Sequence, residues 1–460
     1  MIGNHTIASG ALALILAGLA LSTTASAAKV DGKPKSGALA ALPTNHSYFQ
    51  DAKGKPVVLI GDYTWGIFSD SNYDYLKFFD SLKSRGLNIA RIWLWWGCEE
   101  FPAEDPSKFL GPALHVEPYL RPGPGTANDG RPRYDLTGFN PVFFDRLRDY
   151  CEAARKRNIN LHLILMDAWM LKHAKLWNLH AYNRENNING VDGDPRNTGK
   201  GRDGEQGICS LGNPKCMEFQ KAYARKVVDT VNDFENIYFE MANENPHHDW
   251  DLALCDHIKE YEKSKPKQHL TMPRDLPDHG SVLGTWDTAI VHAKMLEKRS
   301  LGKPLIFDTD WTASGKDDEV RKAMWTGVIS GGSFDYMDNS PEFRIDRPFE
   351  DKREILHRQI NHMAAFVKKI KPWEMTPEDA LVKSGTAYAM ASSKELAAYL
   401  PAGGSVILDI SKLNGKLKAR WYNPLDGKFG ASFNVPRESD FALTAPDSGD
   451  WALLIKSEGK

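Results

Sequence analysis

Ionisable residues are informative where they sit in or just past an apolar run, because an unpaired buried charge is expensive. The run Ile237-Tyr238-Phe239-Glu240-Met241-Ala242 leads straight into Asn243-Glu244-Asn245-Pro246. Extended backbone alternates its side chains, so Tyr238, Glu240, Ala242 and Glu244 share one face. Glu244 is the last of these, just before the proline that ends the strand, and is placed there for proton transfer. Glu240 lies deeper and needs a partner. Arg91, in Asn88-Ile89-Ala90-Arg91, is the natural one, and a buried ion pair that merely holds the fold accounts for Glu240. Other chemistries lack their signatures: there is no G-x-S-x-G elbow, no zinc-type Cys/His spacing and no Gly-rich phosphate loop after a strand. No cofactor or metal is implied.

The elements that must position these residues alternate. Apolar runs at 57–60, 88–96, 161–166, 237–242, 269–272, 282–285, 304–308 and 333–337 read as eight strands. Helix-period segments lie between most of them, at about 73–84, 143–156, 217–231, 289–298 and 317–329, with another at 353–369. Eight such units over some 300 residues predict an α/β chain built as a (β/α)8 TIM barrel, whose active site lies at the strand C-termini. Long Gly/Pro/Asn-rich insertions, 99–140 and 177–213, follow the second and third strands and read as lids or binding walls. After Trp373 short strands separated by turns replace the helices, which predicts a small all-β sandwich. The expected division is a signal peptide over 1–27, the barrel over 28–373 and the β-sandwich over 374–460.

Phe239-Glu240-Met241-Ala242-Asn243-Glu244-Asn245-Pro246 resembles the Asn-Glu-Pro signature of clan A glycoside hydrolases, the cellulase-like retaining (β/α)8 enzymes. The resemblance implies that Glu244 is the general acid/base and that Asn243 contacts the sugar 2-hydroxyl. Arg91 matches the strand-two arginine that borders the pocket in that clan. One departure is Asn245, which stands between the Glu and the Pro. Gly61-Asp62-Tyr63-Thr64-Trp65, the helix around Phe143-Phe144-Asp145-Arg146-Leu147 and the segment before the Glu244 strand are similar to an apiosidase-like branch. That branch also carries a small C-terminal β-domain, and it points to plant cell-wall side chains or pentofuranosides; a bacterial exopolysaccharide fits equally. The clan's nucleophile is a Glu ending the seventh strand, but this chain has Thr309 there, flanked by Asp308 and Asp310. Asp310, nearer the mouth, is the expected second carboxylate, and Asp308 a buried or supporting one. One carboxyl must donate a proton. The other acts as nucleophile at about 5–5.5 Å or as water-activating base at about 6.5–9.5 Å.

Further strand-end residues are candidate sugar ligands: Asp62 after the first strand, Asp167 with Trp169 after the third, His247 beside Glu244, and Asp338 with Asp335 at the eighth. Sugar rings stack on aromatic faces, so tryptophans near strand ends read as subsite walls. These are Trp65, Trp95, Trp96, Trp169, Trp177, Trp250, Trp286 and Trp311, eight of thirteen; Trp93, Trp325 and Trp373 read as core. Asp192-Gly193-Asp194 reads as a solvated turn rather than a calcium loop.

The apolar run 10–21 followed by Ala25-Ser26-Ala27 predicts a secretory signal peptide and an exported protein, periplasmic or extracellular. Five cysteines are too few for a disulfide scaffold, though export would permit a Cys209–Cys216 bridge. Net charge is −2, which argues against nucleic acid as a partner. The expectation is a secreted glycoside hydrolase acting on a carbohydrate, without a membrane anchor. The rival readings are a catalytically inactive carbohydrate-binding barrel and a surface protein whose β-module adheres.

Overall fold

The computed structural model describes residues 37–63, 67–94, 116–201, 206–277, 285–308, 316–337, 343–346, 348–436 and 440–458. Its centre is a curled parallel sheet of seven strands: β1 (Ile60–Tyr63), β2 (Ile89–Trp93), β3 (Asn160–Asp167), β4 (Ile237–Asn243), β5 (Thr271–Met272), β6 (Ile306–Asp308) and β7 (Ser333–Met337). Their order is β5-β4-β3-β2-β1-β7-β6, every pair parallel, so the first and last strands meet through Phe334–Ile60 and Asp335–Gly61. That meeting is what a barrel has and an open doubly wound sheet lacks. The sheet is not closed among the described residues, since the expected strand at 282–285 falls almost wholly outside them.

Helices follow the strands, and local sequence sets their ends. Asp74, Asn140, Asn213 and Asp287 each accept a backbone N–H at the first turn of α1 (Tyr75–Arg85), α2 (Pro141–Arg155), α3 (Pro214–Val231) and α5 (Thr288–Arg299). α4 (His248–Glu262), α6 (Asp317–Ile329) and α7 (Glu354–Val367) are the other long helices among the described residues. Gly86 stops α1 at φ 74°, a conformation that favours glycine. At the N-terminal end of the barrel, three asparagines bind the strands together. Asn88 bonds Ile60 N and Val58 O, Asn160 bonds Asn88 O, and Asn236 bonds Ile159 O. An antiparallel meander (Ala40–Ala41, Phe49–Gln50, Pro56–Val57) closes this end, with Leu39 and Phe49 packed on Tyr238, Met272 and Ile306.

The expected strand at 57–60 is therefore displaced: Val57 pairs back onto Phe49, and the barrel strand starts at Ile60. The two insertions dock on one another. Asn128 reaches Asn178 and Asn186, Leu136 N reaches Asn189, and Tyr119 meets Tyr182 at 2.9 Å. Asn186 and Asn187 are buried with their amide groups bonded to surrounding backbone. The richness in asparagine thus serves the packing of the insertions.

From residue 376 the chain is β-rich. One antiparallel sheet includes Tyr388–Ala391, Glu395–Leu400, Trp451–Glu458 and Lys416–Asn423; a three-stranded sheet holds Val382–Ser384, Ser405–Leu408 and Phe441–Thr444. Alternation divides the labour of the larger sheet. Leu396, Ala398, Leu453 and Ile455 face the smaller sheet, whereas Ala397, Tyr399, Ala452 and Leu454 join the barrel's helical core. Tyr399 stacks on Trp325 of α6 at 5.5 Å.

No disulfide joins Cys209 to Cys216. Both thiols are buried, and burial pushes that of Cys216 up to about 12. Asp192 and Asp194 form a turn: Asp194 accepts from Thr198 N, Thr198 Oγ1 and Gly199 N. No helix among the described residues is long and apolar enough to cross a membrane.

Candidate active site

Strand register decides which side chains enter the barrel. Arg91 pairs with His162, His162 with Tyr238, and Ile164 with Glu240, so Arg91, His162, Tyr238 and Glu240 all point inward. Asp308 and Asp335 are in register on β6 and β7, and Asp335 with Gly61 on β1. Position 61 must be glycine, because a Cβ there would lie 2.2 Å from Ile89 O and 2.9 Å from an Asp335 carboxylate oxygen.

Arg91, 2% exposed, is the hub. One terminal nitrogen donates to Asp308 at 2.7 Å; the other donates to Glu240 at 3.0 Å and to Asn243 Oδ1 at 2.9 Å. Tyr63 OH adds a 2.6 Å bond to Asp308, and His162 Nε2 lies 2.7 Å from Glu240. Burial, reinforced by Arg91, holds His162 well below its ordinary value, so it sits beside Glu240 as a neutral imidazole. Burial raises Asp335 well above the carboxylate range, with Asp308 adding repulsion and Arg91 opposing it. The interior thus sets one cation between two carboxylates, while a third acid holds its proton to higher pH than an ordinary carboxyl.

This network reaches the mouth through Asn243. Its Oδ1 accepts from Arg91 and its Nδ2 donates to Asp167 at 3.3 Å, which fixes the amide and leaves one N–H for another acceptor. Asp167, 3% exposed, also accepts from the backbone of Trp169 and Met170, and burial raises it well above the carboxylate range.

Glu244 follows directly at φ 51°, a left-handed conformation that a non-glycine residue rarely adopts. Alternation stops there, and the Glu244 side chain emerges 39% exposed at the strand's end, bordering a narrow cleft it shares with Glu240, Ala242 and Met272. Lys172 approaches it at 3.6 Å and lies 4.8 Å over the Trp169 ring. Strain concentrated on one carboxylate beside a rigid amide is the kind of distortion found at functional sites.

The expected residues divide accordingly. Arg91, Asn243, Glu244, Asp167 and Trp169 come together at the C-terminal ends of β2 to β4. Asp62 does not: it points away from the barrel interior and pairs with Arg85 of α1 at 2.6 Å. Asp308 is fully buried against Arg91 and Tyr63, so it supports the site and cannot touch a substrate. His247 starts α4, its backbone tied to the Asn245 side chain. Trp286 is half-buried against the core. Trp177 and Trp250, expected as subsite walls, are core. Trp177 fills the space over Gly193 and Gly201, and Trp250 donates to Gln220 at 3.1 Å between α4 and α3. Asp310, Trp65, Trp95, Trp96, Trp311 and Asp338 lie outside the described residues. Lys172 and His162 were not anticipated. His162 was legible as the one ionisable residue on the inward face of the third strand, whereas Lys172 ends a three-residue 3-10 turn, Met170–Lys172, too short to show a pattern.

Two family models match. Residues 110–278 match a domain of unknown function (DUF6298), and residues 378–456 match the "Putative collagen-binding domain of a collagenase". Among solved structures, a glycoside hydrolase superposes with a TM-score of 0.60 at 15% identity, covering 92% of this chain and 97% of that one. The chain has a glycoside hydrolase fold. A glycoside hydrolase family 5 structure from Bacteroides vulgatus gives 0.59 at 15% identity, covering 92% and 93%. These alignments take in nearly the whole chain, the β-rich region included. No curated protein matches it.

Proposed function

We propose that the chain is a secreted glycoside hydrolase in which Glu244 donates the proton to the leaving glycosidic oxygen. The observation that carries the reading is the construction around Glu244. A strained, partly exposed carboxylate follows an amide clamped between Arg91 and Asp167, at the strand ends of a fold shared with glycoside hydrolases. Asn243 offers its remaining N–H to a sugar hydroxyl, and Trp169 supplies an aromatic face beside it. Asp310, two residues beyond the buried Asp308, is the proposed second carboxylate, acting as nucleophile in a retaining mechanism. The finer parts of the reading belong together: an eighth strand at 282–285 closing the barrel, a signal peptide ending at Ala27, and an apiosidase-like substrate range.

Turnover of a panel of aryl glycosides and plant polysaccharides tests it. Glu244→Gln should lower kcat by at least about a thousandfold on substrates whose leaving group needs protonation, with binding retained. Asp310→Asn should do the same on every substrate. Wild-type binding to oligosaccharide with no turnover on any glycan would instead make the barrel a binding protein.

A further inference from the structure

The opposite end of the barrel carries a cleft that this reaction does not use. It has a volume of about 720 Å³ and opens beside Asn88 and Asn160, where β2 and β3 begin. Six basic side chains line it (Lys53, Lys55, Lys83, Arg155, Arg157, Lys368) against two acidic ones, Asp51 and Glu235, in a chain whose net charge is −2. Arg155 and Arg157 are held by Glu152 and Asp80. Among the described residues none of the four lysines makes an ion pair, so their charge is available to a ligand.

The cleft does not end there. Pro56 and the half-buried Trp373 on its edge also line a second cleft of about 550 Å³. Glu374 and Thr376 of that one line a third, of about 510 Å³, which passes over Lys394 and over Lys412, the latter paired with Glu378 of the same cleft at 3.0 Å. Clefts that share walls in succession form one groove, here running from the barrel's N-terminal end past Trp373 onto the C-terminal sheets.

We infer that this groove binds a carboxylated polysaccharide, a chain of uronate-type sugars. Its continuity over three clefts suits a polymer, since a small ligand needs only one of them. Trp373 at the joint gives an aromatic face to the apolar side of a sugar ring. Unpaired lysines are point charges that match carboxylates repeated along a chain, and they attract a polyanion from a distance. A collagen-like peptide would use the length of the groove but has no need of its positive end. The inference deepens the hydrolase reading by supplying a holding site on the far side from Glu244, and it rests on that reading for its choice of a glycan.

Native gel electrophoresis of the full mature chain through polygalacturonate, alginate, neutral dextran or gelatin tests it. Retardation is expected in the two carboxylated polymers only, weakening with added salt. A Lys53→Ala/Lys55→Ala/Lys83→Ala variant should bind about tenfold more weakly, as should Trp373→Ala, while the triple Lys→Arg variant keeps binding. Each variant's thermal melt and aryl glycoside turnover should match wild type. Retardation in dextran equal to that in polygalacturonate, retardation in gelatin alone, or an unchanged triple alanine variant would overturn the inference. Lost turnover in Glu244→Gln with retardation intact keeps the two sites separate. Retardation without any wild-type turnover sinks the catalytic reading and leaves the groove standing.

Discussion

Two buried arginines hold this molecule together in different ways. Arg321 of α6 faces one carboxylate, Asp450, through bonds of 2.8 and 3.1 Å, with Gln359 and Tyr399 completing the set. Charge there is matched one to one, between a barrel helix and the β-rich region. Arg91 faces two carboxylates, with a third acid and a neutral histidine nearby, and it also donates to the amide that precedes Glu244. A matched pair needs nothing further, and it serves as a joint. An unmatched cluster is stable only while each group keeps its protonation state and place, and that demand is what makes the amide and the strand end rigid.

Removing the arginines separates the two roles. Arg91→Met strands Glu240 and Asp308 in the barrel and should cost about 3–5 kcal/mol of stability. By freeing Asn243 it should also lower kcat at least about a hundredfold at temperatures where the variant stays folded. Arg321→Met should cost a similar amount of stability, read from a denaturant melt, but leave aryl glycoside turnover near wild type. The second substitution should discriminate further. Arg321→Met/Asp450→Leu should recover most of the loss, because a matched pair can be replaced by apolar packing, whereas Arg91→Met/Asp308→Leu should remain inactive. Equal losses of turnover in Arg91→Met and Arg321→Met would remove the distinction.

Asp335 sharpens it through pH. Its value in the folded chain is raised above the ordinary 3.8, so between the two the folded chain keeps a proton that the unfolded chain has released. The stability this contributes is full below 3.8 and is lost as pH rises toward the folded value. Asp335→Asn removes the cost, so its Tm relative to wild type should climb as pH rises above 4 and level off once the folded value is passed. Asp450→Asn, which breaks a matched pair, should lower Tm over that range. A Tm difference for Asp335→Asn that stays flat with pH would show that Asp335 titrates alike in both states.

Legibility in the sequence followed the same physics. β7 and α6 run over the expected 333–337 and 317–329, because aromatic residues alternating with polar ones after a Gly-Gly pair, and a capped 3.6-residue pattern, leave little choice. The Arg91–Glu240 pair was legible because a charge inside a strand demands a partner. α4 was missed, although Trp250, Leu254, Cys255 and Ile258 repeat at helical spacing, because the Pro246-His247-His248 turn draws attention to its polar start. Trp177 and Trp250 misled because closeness to a strand end does not say which way a ring turns; glycines 193 and 201 and Gln220, distant in sequence, decide that. Asp62 misled for a related reason. Its partner Arg85 sits at the far end of α1, and only the closed unit of strand and helix brings the two together.

The smallest effect expected concerns Lys172, the cation nearest Glu244 among the described ion pairs. Its 3.6 Å contact joins side chains 34% and 39% exposed, so water screens it, and pairs of this kind contribute about 0–1 kcal/mol. Lys172→Met should therefore leave Tm unchanged and alter kcat by no more than a few fold. The ammonium also covers one face of Trp169, and its loss uncovers that ring. If the ring stacks a sugar, KM should move more than kcat, and added salt should erase part of the difference between variant and wild type. A collapse of kcat as deep as that of Arg91→Met would mean that the mouth depends on its exposed cation as heavily as on the buried one. The contrast between matched and unmatched arginines would then no longer explain where the chemistry sits.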